Sequence, residues 1–189
     1  MRSAAAELDL RGGHPAIDFV NTVAWRGDPA RRVDYLVDYA DLVAWCHHAG
    51  LLTKPESAEV LARDSRAVLL QAKRFREALH EAWADGGQPD AVIGETYMSA
   101  MRRRVLRATG DAVDWVEREL TGQTPLDRIA ISAVELVTRT PLSRIKGCGD
   151  HECGWLFLDS SHRQNRRWCS AADCGNRARA RRHYERSRR

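Results

Sequence analysis

Residues 148–177 read CGDHECGWLFLDSSHRQNRRWCSAADCGNR, and how its four cysteines are understood decides the fold of the C-terminal quarter of the chain. Cys148 and Cys153 form one pair and Cys169 and Cys174 the other, in the pattern C-x4-C-x15-C-x4-C. Two pairs of thiolates suit Zn2+, which four tetrahedral sulfurs satisfy when its job is structural. Between the pairs, Trp155-Leu156-Phe157-Leu158-Asp159 alternates as a strand does. Ser160 to Asn165 reads as a polar turn, and a return strand is expected to end at Arg167-Trp168. Two knuckles joined by a hairpin and followed by a helix describe a treble clef. Ser170 is a good N-cap and Asp173, three residues on, completes a capping box. Cys174 then falls in the first turn, where the helix dipole favours a thiolate. Trp155, Phe157 and Trp168 make a very small core, so metal-binding energy would be folding energy here. Disulfides in an exported protein, an iron–sulfur or other soft-metal site, and replacement of one ligand by His151 remain as alternatives. Four cysteines fill the coordination sphere, which argues against catalytic zinc.

Beyond Cys174 the chain runs GNRARARRHYERSRR. On a helix, Arg177, Arg181 and Arg188 fit one face, and Arg179, Arg182, Arg186 and Arg189 a neighbouring band. Arginine forks contact phosphates and reach guanine edges in the major groove. Asn176 belongs to the same surface, and Arg163, Arg166 and Arg167 on the hairpin extend it. The rival reading is a solvated exit helix whose charges keep the chain in solution. Charge distribution favours a polyanion: residues 144–189 carry 12 basic and 5 acidic side chains, whereas residues 1–143 carry 18 and 21. Clustered positive charge is rewarded by counterion release on phosphate. The excess of arginine over lysine, 27 to 3, runs through the whole chain and adds nothing to that argument.

The 189 residues suffice for one medium domain, or for a domain of about 140 with a small module attached. No apolar run approaches the roughly 20 residues needed to cross a bilayer. The N-terminus, MRSAAAELDLRGG, lacks a leader's apolar stretch, so the expected setting is the cytoplasm, with no membrane partner. In that reducing setting, clustered cysteines are more often ligands than crosslinks. Residues 8–22 are expected to be extended or to start a first helix. Helices are expected over 34–49, closed by Gly50; over 56–84, ended by Asp85-Gly86-Gly87; and over 125–140, with Pro125 in the first turn and Pro141 as the stop. Residues 102–108 and 112–117 flank Thr109-Gly110-Asp111. They read as a hairpin with Val113, Trp115 and Glu117 on one face, the alternative being one helix broken at Gly110. The fold class is therefore α+β: a mainly helical part with a small antiparallel element over 1–142, then a treble-clef-like finger over 143–189.

His14, Asp18, Asn21 and Thr22 form a compact polar set beside an apolar segment. They read either as a small-molecule pocket or as an internal network tying the N-terminal segment to the helices that follow. His47-His48 sits at a helix end and suits its dipole. Cys46, on an apolar face, is read as a buried thiol. No glycine-rich phosphate loop is present, and no serine or threonine has a nucleophile setting, so an enzyme is not expected.

Cys153-Gly154-Trp155-Leu156-Phe157-Leu158-Asp159, Arg166-Arg167-Trp168, Cys169-Ser170 and Cys174-Gly175-Asn176-Arg177 together resemble the CGNR zinc-finger family. Ile17-Asp18-Phe19-Val20-Asn21-Thr22 and Asp41-Leu42-Val43-Ala44-Trp45 resemble the ABATE domain that precedes this finger. The resemblance implies a bacterial stress-related transcription regulator. Cys148, Cys153, Cys169 and Cys174 would hold one structural Zn2+, the finger would bind double-stranded DNA, and the N-terminal part would sense an effector. A homodimer is compatible with the modest affinity of one small finger, although no partner face is legible. A zinc-containing adaptor for other proteins, or a small-molecule sensor without direct DNA binding, is the competing reading. Strong salt dependence of duplex binding separates the two.

Overall fold

Capping residues set where the helices begin. The computed structural model describes residues 3–63, 65–84 and 90–188; the expected stop at Asp85-Gly86-Gly87 and the final Arg189 lie outside them. After a 3-10 turn at Ala4–Glu7, α1 (Pro15–Val20) starts where the His14 ring nitrogen accepts the Ala16 amide and Pro15 occupies the first turn. α2 (Tyr39–His48) opens on a capping box between Asp38 and Asp41, later than the expected residue 34, and Gly50 closes it with φ +75°. The expected single helix over 56–84 is two: α3 (Lys54–Leu61), opened by a Thr53–Glu56 box, and α4 (Arg66–Ala84). The break follows from Ser65, whose hydroxyl accepts the Val68 amide and starts a new helix where the apolar stripe alone suggests continuity. α5 (Ala91–Arg102), begun by Asp90, was not anticipated. α6 (Thr124–Arg139) lies as expected, with Pro125 in its first turn and Thr140 extended.

The strands form three antiparallel pairs among the described residues. β1 (Val23–Ala24) pairs with β2 (Val33–Asp34), β3 (Arg104–Thr109) with β4 (Ala112–Glu117), and β5 (Ile145–Gly147) with β6 (Leu156–Leu158). Residues 104–117 are thus a hairpin, turning at Gly110 with φ +65° and pairing Leu106 with Trp115.

Short as it is, α1 is the hub of the molecule. Phe19 sets its ring 5.4 Å from that of Trp45 on α2 and 6.5 Å from that of Phe75 on α4, with Ile17 and Val20 fully buried beside it. The helical layer continues through α6 with Leu126, Ile129 and Ala133. Leu156 and Phe157 of β6 belong to this same buried cluster. The break in secondary structure falls at Thr140–Pro141, yet side-chain packing runs across it. Among the described residues no helix is long and apolar enough to cross a membrane.

The C-terminal part is a small antiparallel ribbon, a four-cysteine cluster and then α7 (Asn176–Ser187). Its ribbon differs from the expected one. β6 pairs with β5 across the first cysteine pair, and no strand forms at 162–168. The reason lies in the alternation of strand edges. The amides of Asp159 and Cys148 close the ladder between β5 and β6, bonding to Arg144 and Trp155 carbonyls. The opposite edge of β6 is already occupied: the Leu158 amide bonds to Gly12 O and the Leu156 amide to Asn21 Oδ1. A return strand has no edge left to join. Residues 160–166 instead wrap the buried Asp159 carboxylate, which accepts from Ser161 and from the Arg166 amide.

Candidate metal centre and nucleic-acid interface

Cys148 ends the ribbon's first strand and Cys153 precedes its second. Cys169 precedes, and Cys174 lies within, a tight turn of π-helix, Ala171–Gly175, that feeds α7. Ser170 caps that turn by accepting the Asp173 amide at 3.2 Å. The Asp173 carboxylate accepts from the Ser170 hydroxyl and from Arg11 rather than from the Ser170 amide, so half of the expected box forms. The four sulfurs all lie within 4.8 Å of one another, with Cys153–Cys169 at 3.7 Å and Cys169–Cys174 at 3.5 Å. A tetrahedron built on zinc–sulfur bonds of about 2.3 Å has edges of about 3.8 Å. The cluster is thus capable of holding one metal ion, and its donor set suits zinc.

Its electrostatics agree. The sulfurs perturb one another: hydrogen bonds with Cys153 and Cys169 hold Cys148 down, the hydrogen bond with Cys148 pushes Cys153 and Cys169 up, and burial raises Cys174. Four thiolates share this volume only around a positive ion. Backbone amides of Asp150 and Cys169 face the Cys148 sulfur, and that of Trp155 faces Cys153. His151 is not among the grouped ligands.

Arg177 is tied to this centre. One guanidinium nitrogen donates to the Cys174 sulfur at 2.9 Å and another to Asp150 at 2.9 Å, while the group lies 4.7 Å from the Trp25 ring centroid. Asp150 is buried. Burial would raise its pKa, but Arg181 and Arg177 outweigh that and hold it below the usual range. Trp25 has φ +55°, a strained conformation for a bulky residue, and its ring also carries Arg31 at 4.0 Å. The chain beside it runs against the first knuckle: a Cβ on Gly27 would lie 1.9 Å from the His151 carbonyl oxygen, and one on Gly154 2.5 Å from Arg26 Cβ. Asp150, Trp25 and Gly27 were missed in the sequence because each acts through a neighbour distant in the chain.

Of the two readings of the four polar residues, pocket or internal network, their contacts are those of a network. Asn21 accepts the Leu156 amide at 2.8 Å and donates to the Leu156 carbonyl at 2.9 Å, acting as one more strand residue along β6. Asp18, buried, accepts the Gly12 amide at 2.7 Å. Thr22 donates to Phe19 O and accepts from Arg76, which makes a bidentate bridge to Asp34. His14 caps α1. The set is an internal network, but it serves the contact with the cysteine module as well as the helices. A space of about 240 Å³ does lie where the two parts meet, but it adjoins the metal cluster itself: Cys153, Cys169 and Cys174 line it together with Trp25, Tyr35, Trp155, Arg11 and Arg177. None of the four lines it. His47 and His48 bond to the Leu52 and Leu8 carbonyls, and Cys46 is fully buried with its thiol pushed up by desolvation.

The expected phosphate-binding arginines divide into two sets. Arg166 is spent internally, donating to Trp168 O and Cys169 O and lying 4.4 Å over Phe157. Arg177 and Arg181 are held by Asp150. Arg163, Arg167, Asn176, Arg179, Arg182 and Arg186 are exposed on the loop and on α7. Among the described residues, Arg163, Arg167, Arg182 and Arg186 have no carboxylate partner, and Arg179 reaches Asn176.

A search of curated proteins found no match. A family model described as "CGNR zinc finger" matches residues 144–187. The model of the ABATE family, described as "Putative stress-induced transcription regulator", matches residues 13–140, more than half of the chain. These descriptions, with the four-cysteine cluster, indicate a regulatory, metal-binding protein rather than a catalyst. The chain belongs to the ABATE family and carries a CGNR zinc finger at its C-terminal end.

Proposed function

We propose that this protein is a DNA-binding transcription regulator in which one structural Zn2+, held by Cys148, Cys153, Cys169 and Cys174, orders a basic helix for contact with duplex DNA. The observation that carries this reading is the division among the arginines. Arg177 and Arg181, nearest the metal, share the buried Asp150 and build the finger, while Arg163, Arg167, Arg179, Arg182 and Arg186 face solvent. Unpaired guanidinium groups on one small module suit a row of phosphates, and the family description supports a regulatory use of that contact. Residues 1–142 act as the regulatory domain and 143–189 as the finger. An effector reaching both would have to enter beside the metal, since Cys153, Cys169 and Cys174 line the space between Trp25, Tyr35 and Trp155. The test is fluorescence anisotropy with the zinc-loaded protein and random duplex DNA at several salt concentrations. A titration that weakens steeply with salt supports the proposal. No binding at low salt rejects it in favour of an adaptor for other proteins.

A further inference from the structure

We propose that the cleft between the first cysteine knuckle and α7 seats a single phosphate group of the nucleic-acid backbone, gripped by Arg167 and Arg182. This rests on the reading of the finger as a DNA-binding module and goes beyond it by naming the group bound and the residues that bind it. The cleft holds about 280 Å³. Gly149, His151, Arg167 and Trp168 line it from the cysteine module's loops, and Ala178, Arg181, Arg182 and Glu185 from α7, where Ala178 contributes only a methyl group.

Three features select a phosphate over a base. Trp168 is half-buried: a Cβ added to Gly175 would lie 3.5 Å from its Cε3, and Arg167 lies 5.4 Å over the ring centroid. Base stacking needs an open aromatic face, and Arg167 already occupies one here. The Trp168 indole N–H, in contrast, edges towards Gly149 and makes no hydrogen bond among the described residues, leaving a donor at the cleft wall. The cations are also graded. Arg181 is neutralised by Asp150 at 2.7 Å and by Glu152 at 3.4 Å, so it forms a fixed wall. Arg167 and Arg182 both line the cleft and have no carboxylate partner among the described residues. Glu185 is the one acid on the lining and opposes the bound anion. Arginine forks match phosphate geometry.

The experiment compares full-length zinc-loaded protein with the Arg167→Ala/Arg182→Ala double variant and with Glu185→Gln, zinc content being checked in each. Both sets of residues are exposed, so the fold is expected to hold. Duplex affinity is measured against salt, and inorganic pyrophosphate is titrated while the Trp168 indole N–H resonance is followed by NMR, assigned with Trp168→Phe. The double variant is expected to bind duplex about 10-fold more weakly near 0.1 M salt, with its log–log salt slope smaller by about 1. Glu185→Gln is expected to bind more tightly, and pyrophosphate to shift the indole signal in the parent only. Duplex binding whose affinity and slope ignore Arg167 and Arg182 overturns the seat and leaves DNA binding standing. Pyrophosphate binding without duplex binding keeps the seat as a site for a free phosphate compound and removes the DNA reading. Neither kind of binding removes both.

Discussion

The two parts of the chain are ordered by different means. Residues 13–140 bury a conventional apolar core in which Phe19, Trp45 and Phe75 meet, and their buried charges are few, chiefly Asp18, Arg76 and Asp127. Residues 144–188 have little apolar material of their own. Their interior is four sulfurs and two buried carboxylates: Asp150 holds Arg177 and Arg181, while Asp159 holds Lys146 and the 160–166 loop. The first kind of core is tolerant of small changes, since dispersion and apolar burial are spread over many contacts. The second concentrates its free energy in a few directional interactions, and the loss of any one is felt throughout.

Removing the metal should give the largest difference between the parts. Cys169→Ser, or chelation, is expected to abolish stoichiometric zinc and unfold residues 144–188, since structural zinc contributes on the order of 10 kcal/mol in small fingers. Zinc assay with limited proteolysis checks this. Because Leu156 and Phe157 complete the apolar cluster around α1, the same variant should also lower the thermal midpoint of the N-terminal part. An unchanged midpoint there would show that the helical part folds independently.

Asn21→Ala tests the contact itself. It leaves the Leu156 amide and carbonyl without partners, which is expected to cost about 4 kcal/mol in urea unfolding and to expose β6 to hydrogen exchange. A cost below about 1 kcal/mol would mean that apolar packing alone joins the parts.

Acid behaviour distinguishes the N-terminal core from the cysteine core. Burial pushes Asp18 up to about 6, the amides of Gly12 and Arg11 pulling the other way. The folded chain thus holds this proton more tightly than the unfolded chain, whose aspartates titrate near about 4. The resulting stabilisation is full below about pH 4, declines between about 4 and 6, and is absent above. Its upper magnitude is about 3 kcal/mol. Comparing Asp18→Asn with the parent across that window cancels the separate effect of acid on the thiolates, and the difference between them should carry this slope.

The smallest expected effect concerns Arg177. Arg177→Lys keeps the charge but cannot reach Cys174, Asp150 and the Trp25 face together. Zinc transfer to a chromogenic chelator should be about 10-fold faster or more, with the fold kept. An unaltered rate would assign Arg177 to the surface and return it to the DNA-contacting set.

Much of this was legible in advance, and the boundary of legibility has a physical cause. Cysteine spacing, helix caps and the proline stop at 141 are local: each depends on residues within a few positions, so the sequence alone determined the four-cysteine cluster and α6, while at Gly110 it favoured a hairpin over a broken helix and the structure settled the hairpin at 104–117. The concentration of arginine after residue 143 was equally plain. Tertiary structure alone decided which arginines remain available, because Asp150 and Trp25 reach Arg177 across the fold, and Asp150 also takes Arg181. It also decided that Asn21 lines a strand rather than a pocket, and that the return strand beside β6 is absent. Backbone hydrogen-bonding edges are filled by whichever segment packs closest, and here Gly12 and Asn21, more than a hundred residues away in sequence, are the segment that does so.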